Sequence, residues 1–220
     1  MSQDPSTQAS GHANPYAQAL AIPVEPSSGA REAMERALIE IMRETRRPAQ
    51  EVSVTALCKR AHVARSTFYA NYHHVDEVLQ SVERRLLRRI IDEGAPVLSV
   101  GVDAAVESFS NVMRLVNEQE PLFRLFVVDV PNERFMHNWR MALCGHLWDR
   151  LFCENGLRGA RGELRAHSIA ATVNRQLMVE MIAGLMMTFV TFRFEHPNDV
   201  SMAEIDILLP RFVQAMDEIW

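Results

Sequence analysis

The chain has 220 residues, of which 48% are apolar and 23% charged, and its formal net charge is −5. This length and apolar content exclude a largely disordered chain and allow one small and one medium domain with a buried core. An acidic total argues against a protein that binds nucleic acid through bulk charge. However, residues 31–93 hold 12 Arg and Lys against 10 Asp and Glu, so the basic charge is concentrated there.

The cysteines and the apolar segments indicate the compartment. Cys58, Cys144 and Cys153 are an odd number without metal-site spacing, which is typical of a reduced, cytoplasmic protein. The first residues lack the basic flank and apolar stretch of a signal peptide. The most apolar window, Leu177–Phe194, contains Glu180, and a charge near the middle of a bilayer is costly. We therefore predict a cytoplasmic protein with a buried helix here and no membrane association.

Along the chain, residues 1–29 come first, are rich in Ser, Gln, Pro and Ala and lack periodicity. They cannot bury enough apolar surface to offset the entropy of ordering, so we predict a disordered tail. A first helix is predicted over residues 30–45, and Pro48 ends that region. Its apolar face consists of Met34, Leu38, Ile41 and Met42.

Residues 52–72, VSVTALCKRAHVARSTFYANY, predict two short helices separated by a three-residue break at 62–64. A tight turn between two short helices is the geometry that places a recognition helix in the major groove. Phe68 and Tyr72 are four residues apart and should face the core of this small domain.

A linking helix is predicted over residues 75–93, with its apolar side chains facing inward, before Gly94 and Pro96 stop it. The arginine-rich run at 84–89 allows two interpretations, a phosphate contact or a solvated face. The run lies several turns from the helix start, which favours the solvated face.

Helical spacing recurs in the rest of the chain, and no stretch shows the alternation of a strand. The predicted helices span residues 102–118, 121–129, 133–155, 163–194 and 201–219. Pro210 should kink or divide the last one. The sequence therefore predicts an all-α fold of about nine helices.

Specific residues resemble those of the TetR (tetracycline-repressor) family of bacterial transcription regulators. They are Ala37–Met42, Val54–Ala61, Val63, Arg65–Tyr69 and Asp76–Leu79, within a resemblance that covers residues 31–90. Residues 181–186, Met-Ile-Ala-Gly-Leu-Met, resemble the family's penultimate helix weakly.

The resemblance implies a helix-turn-helix DNA-binding domain at 30–74, the linking helix at 75–93, and an effector-binding and dimerisation domain at 94–220. It further implies a homodimer on a palindromic double-stranded DNA operator. The regulator would be a repressor that a small apolar or amphipathic effector releases. No cofactor is expected.

Three residues depart from the family pattern. His62 stands where the family usually has a turn glycine, and histidine tolerates left-handed backbone better than most residues. Ala64 replaces a serine that caps the next helix, so a capping oxygen is missing. Val75 replaces a lysine that grips a phosphate, and His73 and His74 are candidates to replace its charge in part.

Polar residues of the motif are the candidate DNA contacts. Thr67, Tyr69 and Asn71 should point outward, and an asparagine amide can pair with the edge of adenine. Ser53 and Thr55, at the start of the preceding helix, suit phosphate contacts. The full predicted set is Ser53, Thr55, Arg65, Ser66, Thr67, Tyr69, Asn71, His73 and His74.

The second domain is rich in Met and Phe, which ordinary core packing explains for most positions. A few could line the effector cavity that the resemblance implies, since methionine adapts to irregular shapes. The predicted lining is Met113, Phe123, Phe126, Met136, Trp139, Met178 and Met181.

Other kinds of site are not favoured. His137, Cys144, His146 and Cys153 fit no common zinc spacing, and no nucleophile elbow, phosphate-binding glycine loop or HExxH pattern is present. We therefore predict a protein that is not an enzyme. The alternative function is a protein-sensing interaction module with a DNA-binding head and no small-molecule ligand. A large apolar patch outside the dimer face would favour that alternative, and a closed apolar cavity would favour the regulator.

Overall fold

The computed structural model describes residues 14–23, 26, 28–94, 102–152, 169–196, 207–208 and 211. Within these residues the chain is helical and contains no strand, in agreement with the predicted all-α class. The α-helices are α1 (Ala17–Leu20), α2 (Gly29–Thr45), α3 (Val54–Ala61), α4 (Arg65–Asn71), α5 (Val75–Gly94), α6 (Val102–Glu118), α7 (Glu120–Arg124), α8 (Glu133–Phe152) and α9 (Ile169–Glu195). A 3₁₀ turn at Ala49–Glu51 precedes α3, and a π-helical turn at Leu125–Asp129 follows α7.

Helices α2, α3 and α4 form a small three-helix unit, here called the head. Ser28 caps the start of α2, where its Oγ accepts a hydrogen bond of 3.3 Å from the backbone N–H of Arg31. Met34, Leu38 and Met42 of the predicted apolar face are buried, and Ile41 is partly buried. Burial of these side chains against α3 and α5 holds the head together.

Helix α5 links the head to the remaining helices, here called the body (α6–α9). It packs on α2 of the head and on α6 and α8 of the body. Its inward residues are those that the periodicity predicts, Val78, Leu79, Val82 and Leu86. In the arginine-rich run, Arg85, Arg88 and Arg89 form ion pairs with Glu35, Asp92 and Glu93, respectively. These arginines therefore contact carboxylates of the protein itself.

The body follows the predicted order of helices with one difference in the described residues. The segment predicted as one helix at 121–129 is divided into α7 and the π-helical turn, a local irregularity that is frequent at functional sites. The helix predicted at 201–219 lies outside the described residues except at positions 207, 208 and 211. Residues 175–195 of α9 are long and apolar enough to cross a membrane by length and composition, with a mean hydropathy of 1.6. Helix α9 packs on α8 and buries part of its apolar surface in the same core.

The prediction of a disordered tail over residues 1–29 was wrong for residues 14–23. These residues include α1, which packs on α8 of the body. Tyr16 and Ile22 are partly buried against the core, so the segment offsets its ordering entropy by burying apolar surface outside itself. Residues 1–13 lie outside the described part of the chain.

A cluster of charged side chains joins α5 to the start of α8. Arg134 donates from Nη1 to Asp76 Oδ2 at 2.8 Å and from Nε to Glu83 Oε2 at 2.9 Å. Glu83 is 3% exposed and also accepts a hydrogen bond of 2.6 Å from Asn132 Nδ2. Hydrogen bonds from Arg134 hold the pKa of Asp76 below its usual range. The linking helix is thereby fixed to the body near its junction with the head.

Candidate nucleic-acid interface

The first part of the site is the start of α3. Ser53 is its N-cap, where Oγ accepts a hydrogen bond of 3.1 Å from the backbone N–H of Ala56. Both Ser53 and Thr55 are exposed, as the prediction requires. Because Ser53 Oγ accepts in this capping bond, its hydroxyl proton can still be donated to another group. The backbone N–H groups at the start of a helix also favour a bound anion.

The turn between α3 and α4 shows the structural effect of the two departures from the family pattern. His62 has φ 55° and ψ 39°, the left-handed conformation that favours glycine. Ala64 is the N-cap of α4 and makes no side-chain capping bond. Both expectations about these residues are confirmed, and a short turn joins α3 to α4 without the usual residues.

Helix α4 has one face in the core and one face outside. Phe68 and Tyr72 are buried, as predicted, and anchor the helix to the head. Arg65, Ser66 and Tyr69 are exposed, and Thr67 is partly exposed. The Tyr69 ring is 50% exposed and lies edge-on against Phe68, with ring centroids 5.2 Å apart. The outer face of α4 therefore presents a guanidinium, hydroxyl groups and an aromatic ring from a rigid support.

Asn71 has a different environment from the one predicted for a base-reading residue. Its Nδ2 donates to the Thr67 carbonyl at 2.8 Å, and its Oδ1 accepts from Arg31 Nε at 3.2 Å. Both ends of the amide are thus occupied inside the head. The Arg31 guanidinium also lies 5.1 Å from the centroid of the Tyr72 ring, within cation–π range. Asn71 and Arg31 brace the end of α4 against α2, a pairing across 40 residues that helical spacing alone does not reveal.

The segment between α4 and α5 contains the two histidines. His73 and His74 are exposed, and the backbone N–H of His73 donates to Glu77 Oε2 at 2.7 Å. Val75 is 7% exposed and packs in the core. The structure therefore leaves the histidines as the exposed candidates at this corner, next to an apolar residue that cannot contact phosphate.

No family profile matches the sequence, and no curated protein sequence matches it significantly. The structure is similar to that of a TetR-family transcriptional regulator from Streptomyces coelicolor, with a TM-score of 0.60. The alignment covers 89% of this chain and 83% of that one at 13% identity. A second similar structure is the dihydroxyacetone kinase operon activator DhaS, with a TM-score of 0.58. That alignment covers 87% of this chain and 97% of DhaS, also at 13% identity. The chain has the TetR fold.

In the TetR fold of this chain, four of the predicted pocket residues lie in the core of the body. Met113, Phe123, Phe126 and Trp139 are buried. Phe123 and Trp139 have ring centroids 5.0 Å apart, and Phe135, which the predicted lining omits, lies 5.8 Å from Trp139. Among the described residues, no acceptor lies within hydrogen-bond distance of the buried Trp139 Nε1–H.

The other three predicted pocket residues are less enclosed. Met136 and Met178 are partly buried against the core. Met181 is 44% exposed on α9 and therefore lies outside the buried cluster. Helical spacing identifies which residues share a face, but it does not show which face a second helix covers.

The remaining candidate groups show no metal-site geometry in the described residues. Cys58 and Cys144 are buried free thiols, and Cys153 lies outside the described chain. Burial raises the pKa of the Cys144 thiol to about 12. No three His, Cys, Asp or Glu side chains of the described residues lie together as metal ligands would.

Proposed function

We propose that the protein is a cytoplasmic transcriptional regulator that binds double-stranded DNA as a homodimer, with α4 as the recognition helix. The observation that carries this proposal is the outer face of α4, where Arg65, Ser66 and Tyr69 are exposed while Phe68 anchors the helix. This arrangement presents polar groups from a short helix narrow enough for the major groove.

The proposed DNA contact of each residue is based on its position on α3 or α4. Thr67 and Tyr69 are the proposed base-contacting residues, since they lie on the outer half of α4. Arg65 and Ser66 at its start, together with Ser53 and Thr55 at the start of α3, are proposed to contact phosphate. Asn71 positions α4 through its bonds to Thr67 and Arg31.

Fluorescence anisotropy compares the affinity of the protein for its operator sequence with its affinity for random DNA. Thr67→Ala and Tyr69→Ala should each weaken operator binding by about 1–3 kcal/mol for a lost base contact, with a smaller effect on random DNA. Thr45→Ala, at an exposed threonine of α2, is the matched control and should bind like the parent. An equal loss on both DNAs would make these residues phosphate contacts and refute the assigned roles.

An apolar stripe on α9 supports the homodimer. Leu177, Met181 and Phe192 are 50%, 44% and 42% exposed and recur at helical spacing, with Gly184 and Thr188 between them. Ile207 and Leu208, in the next segment, are also about half exposed, at 54% and 50%. A symmetric pair of such surfaces would remove this apolar area from water.

Light scattering with size-exclusion chromatography tests the dimer. The parent should have twice the mass of one chain at micromolar concentration, and Met181→Glu should shift it toward the monomer. Ser110→Glu introduces the same charge at an exposed site of the body and serves as the control. A monomeric parent would refute the proposal.

We propose that the ligand is a small apolar or amphipathic effector that contacts the aromatic cluster of the body. The buried N–H of Trp139 supports a ligand with a hydrogen-bond acceptor, because a buried donor without an acceptor is costly. The dimer would have two conformations that differ in the spacing of its two heads. An effector that binds one of them more tightly would shift the equilibrium toward it and release DNA.

The proposed direction of regulation is repression, although the similar protein DhaS is named an operon activator. A reporter gene behind the operator tests the direction, since repression predicts higher expression when the regulator is deleted. For the ligand, a thermal-shift screen of neutral aromatic compounds should yield binders whose effect decreases in Trp139→Phe. Binders with equal effects on both proteins would place the ligand elsewhere.

A further inference from the structure

The N-terminal segment Asn14–Leu20, here called the strap, makes side-chain hydrogen bonds to two helices of the body. Asn14 Nδ2 donates to the Gly145 carbonyl at 3.0 Å and to Asp149 Oδ1 at 2.8 Å, both on α8. Tyr16 OH donates to Glu180 Oε1 on α9 at 3.0 Å. Burial and this carboxylate raise the pKa of the Tyr16 hydroxyl, which therefore stays a donor.

The body provides a shaped seat for the strap. A Cβ at Gly145 would lie 2.9 Å from Leu20 Cγ and Cδ2, so a side chain at this position of α8 would force Leu20 out of its present position. The Tyr16 ring lies edge-on to Trp148, with centroids 6.3 Å apart. An interior glycine weakens a helix, and here its place is explained by the close approach of Leu20.

The strap depends on this seat for its conformation. Its helix, α1, has four residues and no side-chain capping bond. An isolated helix of that length is not stable in water, because the cost of nucleation exceeds the gain from so few hydrogen bonds. Helix α1 should therefore form when the strap docks on the body and unfold when the strap leaves it.

A short tether connects the strap to the head. Residues 21–28 join Leu20 to the start of α2, and eight residues span no more than about 30 Å. In the first turn of α2, Arg31 donates from Nε to Asn71 Oδ1 at 3.2 Å and from Nη2 to the Asn71 carbonyl at 3.4 Å. The strap is thus connected through the tether and Arg31 to the end of α4.

We propose that the strap is a releasable link between body and head, in addition to α5 and the ion pair of Arg46 with Asp129, and that its docking steadies α4. When the strap leaves its seat, the start of α2 loses its anchor on the body. The brace from Arg31 to Asn71 then loosens while the core of the head stays folded. This coupling is a property of the chain itself and does not require bound DNA.

Hydrogen exchange followed by mass spectrometry on the full chain tests the proposal. Gly145→Ala should displace Leu20, although alanine ordinarily strengthens a helix. Amides of residues 14–20, 29–34 and 65–71 should then exchange faster, by about tenfold, the factor expected for one lost hydrogen bond to a charged group. The control is Asn138→Ala, at an exposed position of the same helix, and it should leave these amides unchanged.

Two outcomes would overturn the proposal. Faster exchange in the strap with unchanged exchange in 65–71 would show that the strap is not coupled to α4. Unchanged exchange in the strap would show that Gly145 does not form its seat. If Gly145→Ala speeds exchange throughout the body, the test is repeated with Tyr16→Phe, which removes only the hydrogen bond to Glu180. Exchange in residues 14–20 is then compared with exchange in residues 65–71 in the same way.

Discussion

The cluster around Arg134 allows a prediction about the stability of the junction between linking helix and body. Arg134 donates to both Asp76 and Glu83, and Glu83 is 3% exposed. In Arg134→Gln the buried carboxylate of Glu83 loses its cationic partner and keeps the hydrogen bond from Asn132. The variant should therefore destabilise the fold more than the loss of a surface ion pair would.

The magnitude follows from burial. Removal of one partner from a buried ion pair costs roughly 3–5 kcal/mol. The Arg134 side chain is 38% exposed, and Asn132 remains, so solvent and one hydrogen bond compensate part of the loss. We expect a cost of about 2–3 kcal/mol, which corresponds to a decrease of roughly 5–10 °C in the thermal midpoint.

The assay is urea unfolding followed by circular dichroism, at fixed protein concentration. Arg140→Gln is the matched control on α8, because Arg140 pairs with Glu180 at 3.6 Å and is 46% exposed. That variant should lose less than about 1 kcal/mol, as for a surface pair. Equal losses in the two variants would refute the argument that burial of Glu83 makes the cluster important.

The stability of Arg134→Gln should also depend on pH differently from the stability of the parent. Because Arg134 lowers the pKa of Asp76, this contribution to stability is complete above the unfolded value of about 3.9 and disappears as pH falls through the folded value. The parent should therefore lose stability steeply on acidification below about pH 4, and Arg134→Gln should lose less over the same range. Parallel pH profiles would contradict the assigned cause.

Three further predictions concern the head. Ala64→Ser should supply the missing cap of α4 and raise stability by about 1 kcal/mol, and an unchanged urea midpoint would contradict this. His62→Gly should relieve the left-handed backbone and add about 0.5–1 kcal/mol, whereas a loss would mean that the histidine side chain stabilises the turn. The double variant His73→Gln/His74→Gln should weaken operator binding, because both exposed imidazole rings lie at the corner where a phosphate contact is proposed. Equal operator affinity of the parent and this variant would exclude the histidines from the contact.

Much of the head could be predicted from the sequence because its signals are local. The spacing of Val54, Leu57, Cys58 and Ala61, the break at 62–64 and the pair Phe68 and Tyr72 lie within 20 residues and determine which face is buried. Even the left-handed turn at His62 follows from its position after a short amphipathic helix.

The parts that could not be predicted depend on contacts between distant segments. The strap is short and aperiodic, and its order comes from contacts with α8 and α9, among them the contact of Leu20 with a glycine 125 positions further along the chain. Asn71 is drawn inward by Arg31, and Met181 faces outward because α8 covers the opposite side of α9. Periodicity assigns residues to faces, whereas these outcomes depend on what lies against each face.

Selection of bound sequences from a random DNA library with the purified full chain tests whether α4 recognises a DNA sequence. We expect enrichment of an inverted repeat whose half-sites lie a whole number of helical turns apart, as two α4 helices of a symmetric dimer require. The enrichment should be lost in Tyr69→Ala and retained in Thr45→Ala. A folded, dimeric protein that enriches no sequence would contradict the account.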